Sequence, residues 1–242
     1  MPQHLKNIKK ISQKFAEILF FRHIVCAKNM RTERSEKMIK KIVLATGNKN
    51  KVKEITAALS EIPEFNGIAV VSMEDEGIDI DIEETGSTYI ENAAIKAKKI
   101  CEMTGLPAMA DDSGIEIDYL HGAPGVYSAR FLGEDTPYSE KMQYILDELK
   151  KTDNRKCAYI TAIAIAFPDG TLYTTIGTLP GLIAEKEAGD NGFSYDRIFY
   201  LPEYRKTMAE LSFAEQVKYN QRTKAIKKMA EMLKEKQKGN LK

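Results

Sequence analysis

The sequence predicts an α/β protein, and three of its features support that class. The run KKIVLA at residues 40–45 is typical of a buried strand, and a Gly-containing turn and a helical pattern follow it. A second apolar run, residues 106–110, precedes a segment that alternates apolar and acidic residues. The 242 residues, 43% of them hydrophobic, suffice for one large α/β domain or two small ones.

The first 37 residues differ in charge from the rest of the chain. They carry nine Lys/Arg and three Asp/Glu, whereas the remainder carries 27 Lys/Arg and 32 Asp/Glu. Apolar residues recur there at helical spacing. A targeting peptide and a membrane-surface helix are therefore two possible functions of this segment. We favour a dispensable extension, because acidic residues and Arg22-His23 interrupt the pattern. We therefore divide the chain into a basic N-terminal extension, residues 1–37, whose role is open, and a single α/β domain, residues 38–242.

The cysteine, histidine and charge content excludes several classes of site and partner. The three cysteines are widely spaced and form no CxxC motif, which favours a reducing cytoplasm over a disulfide or zinc framework. Two of the three histidines lie in the first 40 residues, so we expect chemistry based on carboxylates, lysines and a hard cation. The mildly acidic body argues against nucleic acid, and no apolar run is long enough to cross a membrane.

Two adjacent carboxylates follow the apolar run at 106–110. Asp111 and Asp112 are predicted at the end of that strand, Ser113-Gly114 in a turn, and residues 115–118 in a second strand. Ligands gather at the carboxyl ends of strands in α/β sheets, so these acids are candidates for holding a metal. A polar turn between two strands is the alternative.

The loop TGNKNK, residues 46–51, joins the first strand to a helix with Val52, Ile55 and Leu59 on one face. Backbone N–H groups and the positive end of the helix dipole make such a junction a phosphate site, and Lys49 and Lys51 add positive charge. The loop matches neither GxxxxGK[ST] nor GxGxxG. An ordinary connection with surface lysines is an equally weighted alternative.

The segment IDIDIEE, residues 78–84, alternates like a half-exposed strand. Thr88 and Glu91 have capping-box spacing, and the predicted helix ends at Gly105. Glu84, just before that helix, is either a second metal ligand beside Asp112 or a carboxylate that complements the helix dipole.

The second half of the chain predicts a further helix and a hairpin. The helix covers residues 137–151, and the strands 157–167 and 172–177 are joined by Pro-Asp-Gly. A Gly-rich loop occupies residues 189–196, and a capping box at Ser212 and Glu215 opens one long final helix.

Five segments together resemble the inosine-triphosphate pyrophosphatase family. They are TGNKNK, EETGSTYIENA, ADDSG with GAPGVYSAR, GFSYD, and KTMAEL followed by a helix containing Arg222. Each motif alone is weak, but five in the same order over about residues 41–235 are specific.

The resemblance implies a mixed central sheet flanked by helices, with two lobes and a nucleotide cleft between them. It also implies a homodimer that hydrolyses ITP, dITP or XTP with Mg²⁺, by water attack at the α-phosphate. Asp112 matches the general base and a metal ligand, and Glu84 matches the other metal ligand. The positions that match substrate contacts are Thr46, Gly47, Asn48, Lys49, Asn50, Lys51, Ser113, Phe193, Ser194, Tyr195, Asp196, Gln216, Gln221 and Arg222.

The chain departs from the family pattern at the base pocket. Asn220-Gln221-Arg222 stands where the family has Ser-His-Arg, and Gln216 stands where it has lysine. These changes predict altered discrimination among bases, with the phosphate and metal residues intact. The alternatives are a pyrophosphatase with broadened or pyrimidine preference and a nucleotide-binding protein with little turnover.

Overall fold

The structure, a computed structural model, describes residues 39–239. The N-terminal extension predicted for residues 1–37 lies outside these residues. Within them the chain forms a seven-stranded mixed sheet of order β2-β1-β3-β4-β5-β6-β7, in which β1 runs parallel to both neighbours and the other pairs are antiparallel. The strands are β1 (Lys41–Leu44), β2 (Ala69–Ser72), β3 (Ala108–Ile117), β4 (Lys156–Ala166), β5 (Leu172–Ile183), β6 (Phe199–Leu201) and β7 (Lys206–Thr207).

Five α-helices flank the sheet in this part of the chain, which confirms the predicted mixed α/β class. The Thr88–Glu91 capping box opens the second helix, and Gly105 ends it in the left-handed conformation, with φ 64°. The helices are α1 (Lys49–Ser60), α2 (Tyr89–Thr104), α3 (Tyr138–Glu148), α4 (Phe213–Tyr219) and α5 (Gln221–Gly239).

The turn predicted at Ser113-Gly114 is wrong, because both residues lie inside β3. All ten residues of β3 pair with β4, and this long ladder outweighs the local turn preference. Gly114 serves close packing, since a Cβ there would lie 2.1 Å from the carbonyl oxygen of Gly125. Asp111 and Asp112 are therefore in the middle of a strand, and their side chains point to opposite faces of the sheet.

Three other boundaries differ from prediction. Residues 78–84 alternate in burial as expected but pair with no strand among the described residues. β5 continues to Ile183 instead of ending at Gly177. The predicted final helix is two helices, because Asn220 is extended (ψ 164°) and its side chain accepts the N–H of Thr223, which caps α5.

Two hydrophobic clusters pack helices against the sheet. In one, α2 packs against small side chains of β3 and β4, which allow a close helix–sheet contact; these include Ala108, Ala110, Ala162 and Ala164. The other combines α3 with the far ends of β3, β4 and β5. No helix in the described part of the chain is both long and apolar enough to cross a membrane.

Candidate active site

A pocket lies against an open edge of β3. β1 ends at Leu44, whose partner is Met109, so the next residues of β3 have no strand beside them there. Side chains from both faces of the sheet can therefore reach one pocket around this edge. Its lining comes from the β1–α1 loop, residues 80–84, β3, the 193–196 loop and the start of α5; it includes Thr46, Gly47, Asn48, Lys51, Glu84, Lys96, Ser113, Phe193, Ser194, Tyr195, Asp196, Gln221 and Arg222.

On one face of the sheet, Asp111 anchors two cations. Arg222 donates from Nε and Nη2 to Asp111 Oδ2 at 3.2 and 2.9 Å, and Lys51 Nζ lies 3.3 Å from the same oxygen. Arg222 also pairs with Glu54 of α1. Burial alone would raise the pKa of Asp111, but Lys51 and Arg222 outweigh it and hold that pKa well below its ordinary value. Asp111 is thus a fixed anion under the pocket.

On the other face, Asp112 and Glu84 share one lysine. Lys96 Nζ lies 2.5 Å from Glu84 Oε1 and 3.5 Å from Asp112 Oδ1. Asn92 donates to Asp112 Oδ2 at 3.2 Å, and Arg130 lies 3.5 Å from Glu84 Oε2. Burial raises the pKa of Asp112, while Lys96 opposes the shift and Glu84 adds to it.

The donor set of Glu84 and Asp112 fits Mg²⁺. Both are hard oxygen donors, and both contact a single nitrogen, so one small cation could contact both carboxylates. Within residues 39–239 no three His, Cys, Asp or Glu side chains group to hold a metal by themselves. Two carboxylates suffice where phosphate oxygens and water complete the coordination, as is usual for Mg²⁺.

Only some of the residues predicted to contact phosphate in the β1–α1 loop line the pocket. The side chain of Asn48 caps α1 by accepting the N–H groups of Asn50 and Lys51 at 3.0 and 3.2 Å. Lys51 points into the pocket, but Lys49 and Asn50 are not part of the lining, and Lys49 is 85% exposed near Glu74. Both lysines were expected to add positive charge at this loop, but they point in different directions because residues two apart on a helix lie about 200° apart.

The 193–196 loop supplies aromatic rings and a buried acid. Asp196 accepts the hydroxyl of Tyr159 at 2.9 Å and the N–H of Phe193 at 2.8 Å. Burial raises the pKa of Asp196 to about 7. Tyr195 donates its hydroxyl to the carbonyl of Ser128, so this ring is fixed, while the ring of Phe193 stands 6.0 Å from the Arg222 guanidinium.

The two glutamines predicted in the base pocket have different positions. Gln221 lines the pocket, and its Oε1 is buried without a hydrogen-bond partner. Gln216 is not in the lining, because its amide donates to the carbonyls of Met208 and Leu211 at 2.7 and 3.3 Å. The prediction that Gln216, Gln221 and Arg222 lie on one continuous helix is wrong, since Asn220 separates α4 from α5.

Sequence reasoning missed several polar residues of this site. Asn92 and Lys96 are four residues apart on the otherwise apolar buried face of α2. Glu54 similarly stands among buried apolar residues of α1. A polar residue within a helix's apolar stripe was the available signal, because such a group requires a buried partner.

Fold and site define an α/β protein whose pocket suits a multiply charged anionic ligand. A helix N-terminus, two lysines and a carboxylate pair suited to Mg²⁺ meet at one sheet edge. The chain belongs to the Ham1 family, whose model matches residues 42–232.

Curated relatives and solved structures agree with this assignment. The chain is 44% identical over 196 residues to a dITP/XTP pyrophosphatase of Desulforamulus reducens, covering 80% of this chain and 95% of that protein. A Thermus thermophilus protein of the same name is 40% identical over 197 residues, covering 81% and 92%. The structure of the Staphylococcus aureus Ham1 protein aligns with TM-score 0.71 and 34% identity, covering 81% of this chain and all of that one.

Proposed function

We propose that this protein is a house-cleaning nucleoside-triphosphate pyrophosphatase that hydrolyses ITP, dITP and XTP to the monophosphate and pyrophosphate. The observation that carries the proposal is the open edge of β3, where Lys51, Lys96 and Glu84 line one pocket and Asp112 lies directly behind this lining, 3.5 Å from Lys96 Nζ. Relatives that are 44% and 40% identical, both named dITP/XTP pyrophosphatases, support the same reaction.

The polar groups at this edge of the sheet have the following roles in the proposed reaction. Lys51 and the N-terminus of α1 bind the triphosphate and offset part of its negative charge. Asp112 accepts a proton from the water that attacks the α-phosphate, and the bond from the α-phosphorus to the bridging oxygen breaks to release pyrophosphate.

The proposed reaction requires Mg²⁺. Glu84 and Asp112 would hold this ion together with phosphate oxygens. When bound, it supplies charge neutralisation and Lewis acidity toward the phosphate oxygens. Asn92 orients Asp112, and Arg130 orients Glu84, through the contacts already described.

A broadened base preference is the second candidate, and the two glutamines favour it. Gln216 is bound to backbone carbonyls, so it offers no replacement for the family's lysine in the pocket. The Gln221 amide can donate to a 6-oxo group or accept from an amine, so it distinguishes ITP from ATP less strictly than an obligate donor.

A pyrophosphate-release assay with ITP, XTP, dTTP and ATP, with and without Mg²⁺, tests these functions. We expect fastest release from ITP or XTP, and only with Mg²⁺. Comparable rates with ATP or dTTP would favour the broadened enzyme, and binding without release would favour a nucleotide-binding protein. We also propose that the protein is a homodimer located in the cytoplasm. Light scattering of the purified protein tests the dimer.

A further inference from the structure

Lys96 lies where a metal held by Glu84 and Asp112 would be expected. We infer that Lys96 is a built-in counter-cation: it neutralises both carboxylates while no metal is bound and makes metal binding depend on the nucleotide. This inference rests on the proposed function, because it concerns how that site is loaded.

The contacts of the carboxylates support the inference. Each of the four oxygens has one partner: Lys96 contacts Glu84 Oε1 and Asp112 Oδ1, Arg130 contacts Glu84 Oε2, and Asn92 contacts Asp112 Oδ2. The side chains of Lys96, Asp112 and Glu84 are 11%, 7% and 24% exposed, so water screens their charges only partly. The site is therefore satisfied as it stands.

The charges already present at the two carboxylates oppose the binding of a metal cation. Glu84 and Asp112 carry two negative charges, which Lys96 and Arg130 offset with two positive charges. A divalent ion arriving alone must displace or face the Lys96 ammonium at short range, where like-charge repulsion is strong. We therefore expect weak metal binding in the absence of nucleotide.

The nucleotide can relieve this competition because Lys96 also lines the pocket. Its side chain is long and flexible, so its ammonium can move from the carboxylates to an arriving phosphate. The carboxylates then become available to the metal that accompanies the phosphates. By linkage, metal and nucleotide each strengthen the binding of the other.

The test is a Mn²⁺ titration followed by electron paramagnetic resonance at pH 7.5, with Mn²⁺ replacing Mg²⁺ as an oxygen-preferring ion. Without nucleotide, Lys96→Met should bind Mn²⁺ at least about tenfold more tightly than the wild type, because the competing charge is gone. Lys234→Met is the control, since it removes a surface pair with Glu64; its Mn²⁺ affinity should match the wild type.

A second titration adds the α,β-methylene analogue of ITP, which cannot be hydrolysed between the α- and β-phosphates. The analogue should tighten Mn²⁺ binding strongly in the wild type and much less in Lys96→Met. If Lys96→Met does not fold, Lys96→Gln replaces it, because its amide keeps a hydrogen-bond donor without the charge.

Two results would overturn the inference. One is Mn²⁺ binding to the Lys96 variant no tighter than to the wild type; the other is the same response to the analogue in the Lys96 variant and the wild type. A purely structural role for Lys96 predicts weaker, not tighter, metal binding. The titration without nucleotide measures metal binding and needs no turnover. Its result therefore tests the role of Lys96 even if the proposed substrate is wrong.

Discussion

Arg222 and Asp111 are 111 positions apart in the chain, yet two guanidinium nitrogens donate to one carboxylate oxygen at 3.2 and 2.9 Å. Their side chains are 2% and 0% exposed, and Lys51 and Glu54 extend the network into α1. The pair therefore joins α1, β3 and α5 beneath the pocket.

Breaking this network should destabilise the fold. Asp111→Asn leaves the Arg222 and Lys51 charges undercompensated, and losing one partner of a buried ion pair typically costs about 3–5 kcal/mol. Urea unfolding should show a loss of that order. Asp147→Asn, which removes an exposed pair with Lys150, should change the free energy of unfolding far less, because water screens that pair. Equal effects in both variants would contradict the prediction.

The neighbouring acid should behave differently. Asp112→Asn should lower kcat for ITP at least about a hundredfold, the usual scale for losing a general base, while the protein still folds. Steady-state kinetics with circular dichroism measures both. Near-normal turnover would show that Asp112 is not the base.

Gln221→His should sharpen the preference for ITP over ATP. The wild-type amide can donate to the 6-oxo group of ITP or accept from the amine of ATP, whereas an imidazole that donates matches only the former. The measurement is kcat/KM for ITP and ATP in both proteins. An unchanged or smaller ITP/ATP ratio would remove Gln221 as a determinant of base selectivity.

Asp196 should make stability fall as pH rises. Burial raises the pKa of its carboxyl from 3.8 to about 7, so between these values the folded chain keeps a proton that the unfolded chain loses. Stability is therefore lost as pH rises toward 7. Relative to Asp196→Asn, the wild type should lose about 3 kcal/mol of unfolding free energy between pH 5 and 8. A pH-independent difference between the two proteins would refute this assignment.

A chain that begins at Met38 should fold and hydrolyse ITP like the full chain. The family match starts at residue 42, and the basic excess is confined to residues 1–37. Turnover and thermal unfolding of the two proteins provide the comparison. Loss of solubility or activity on truncation would show that the extension stabilises the rest of the protein.

Several features of the fold followed from the sequence because local interactions specify them. The capping boxes at Thr88 and Ser212 and the stop at Gly105 were predicted correctly, since each depends on residues within one helical turn. The hairpin between β4 and β5 was predicted from Pro-Asp-Gly for the same reason. The end of β5 was not, because its pairing with β4 decides how far it runs.

The sequence by itself determined the α/β class, the family and the presence of Glu84, Asp112 and Lys51 among the polar residues of the site. Only the tertiary structure decided how these residues meet. Pairing with β4 made β3 continuous and sent Asp111 and Asp112 to opposite faces, while the early end of β1 opened the edge between them. Lys96 meets both Glu84 and Asp112 only because α2 packs against β3 and β4, and no local pattern specifies a contact between separate elements.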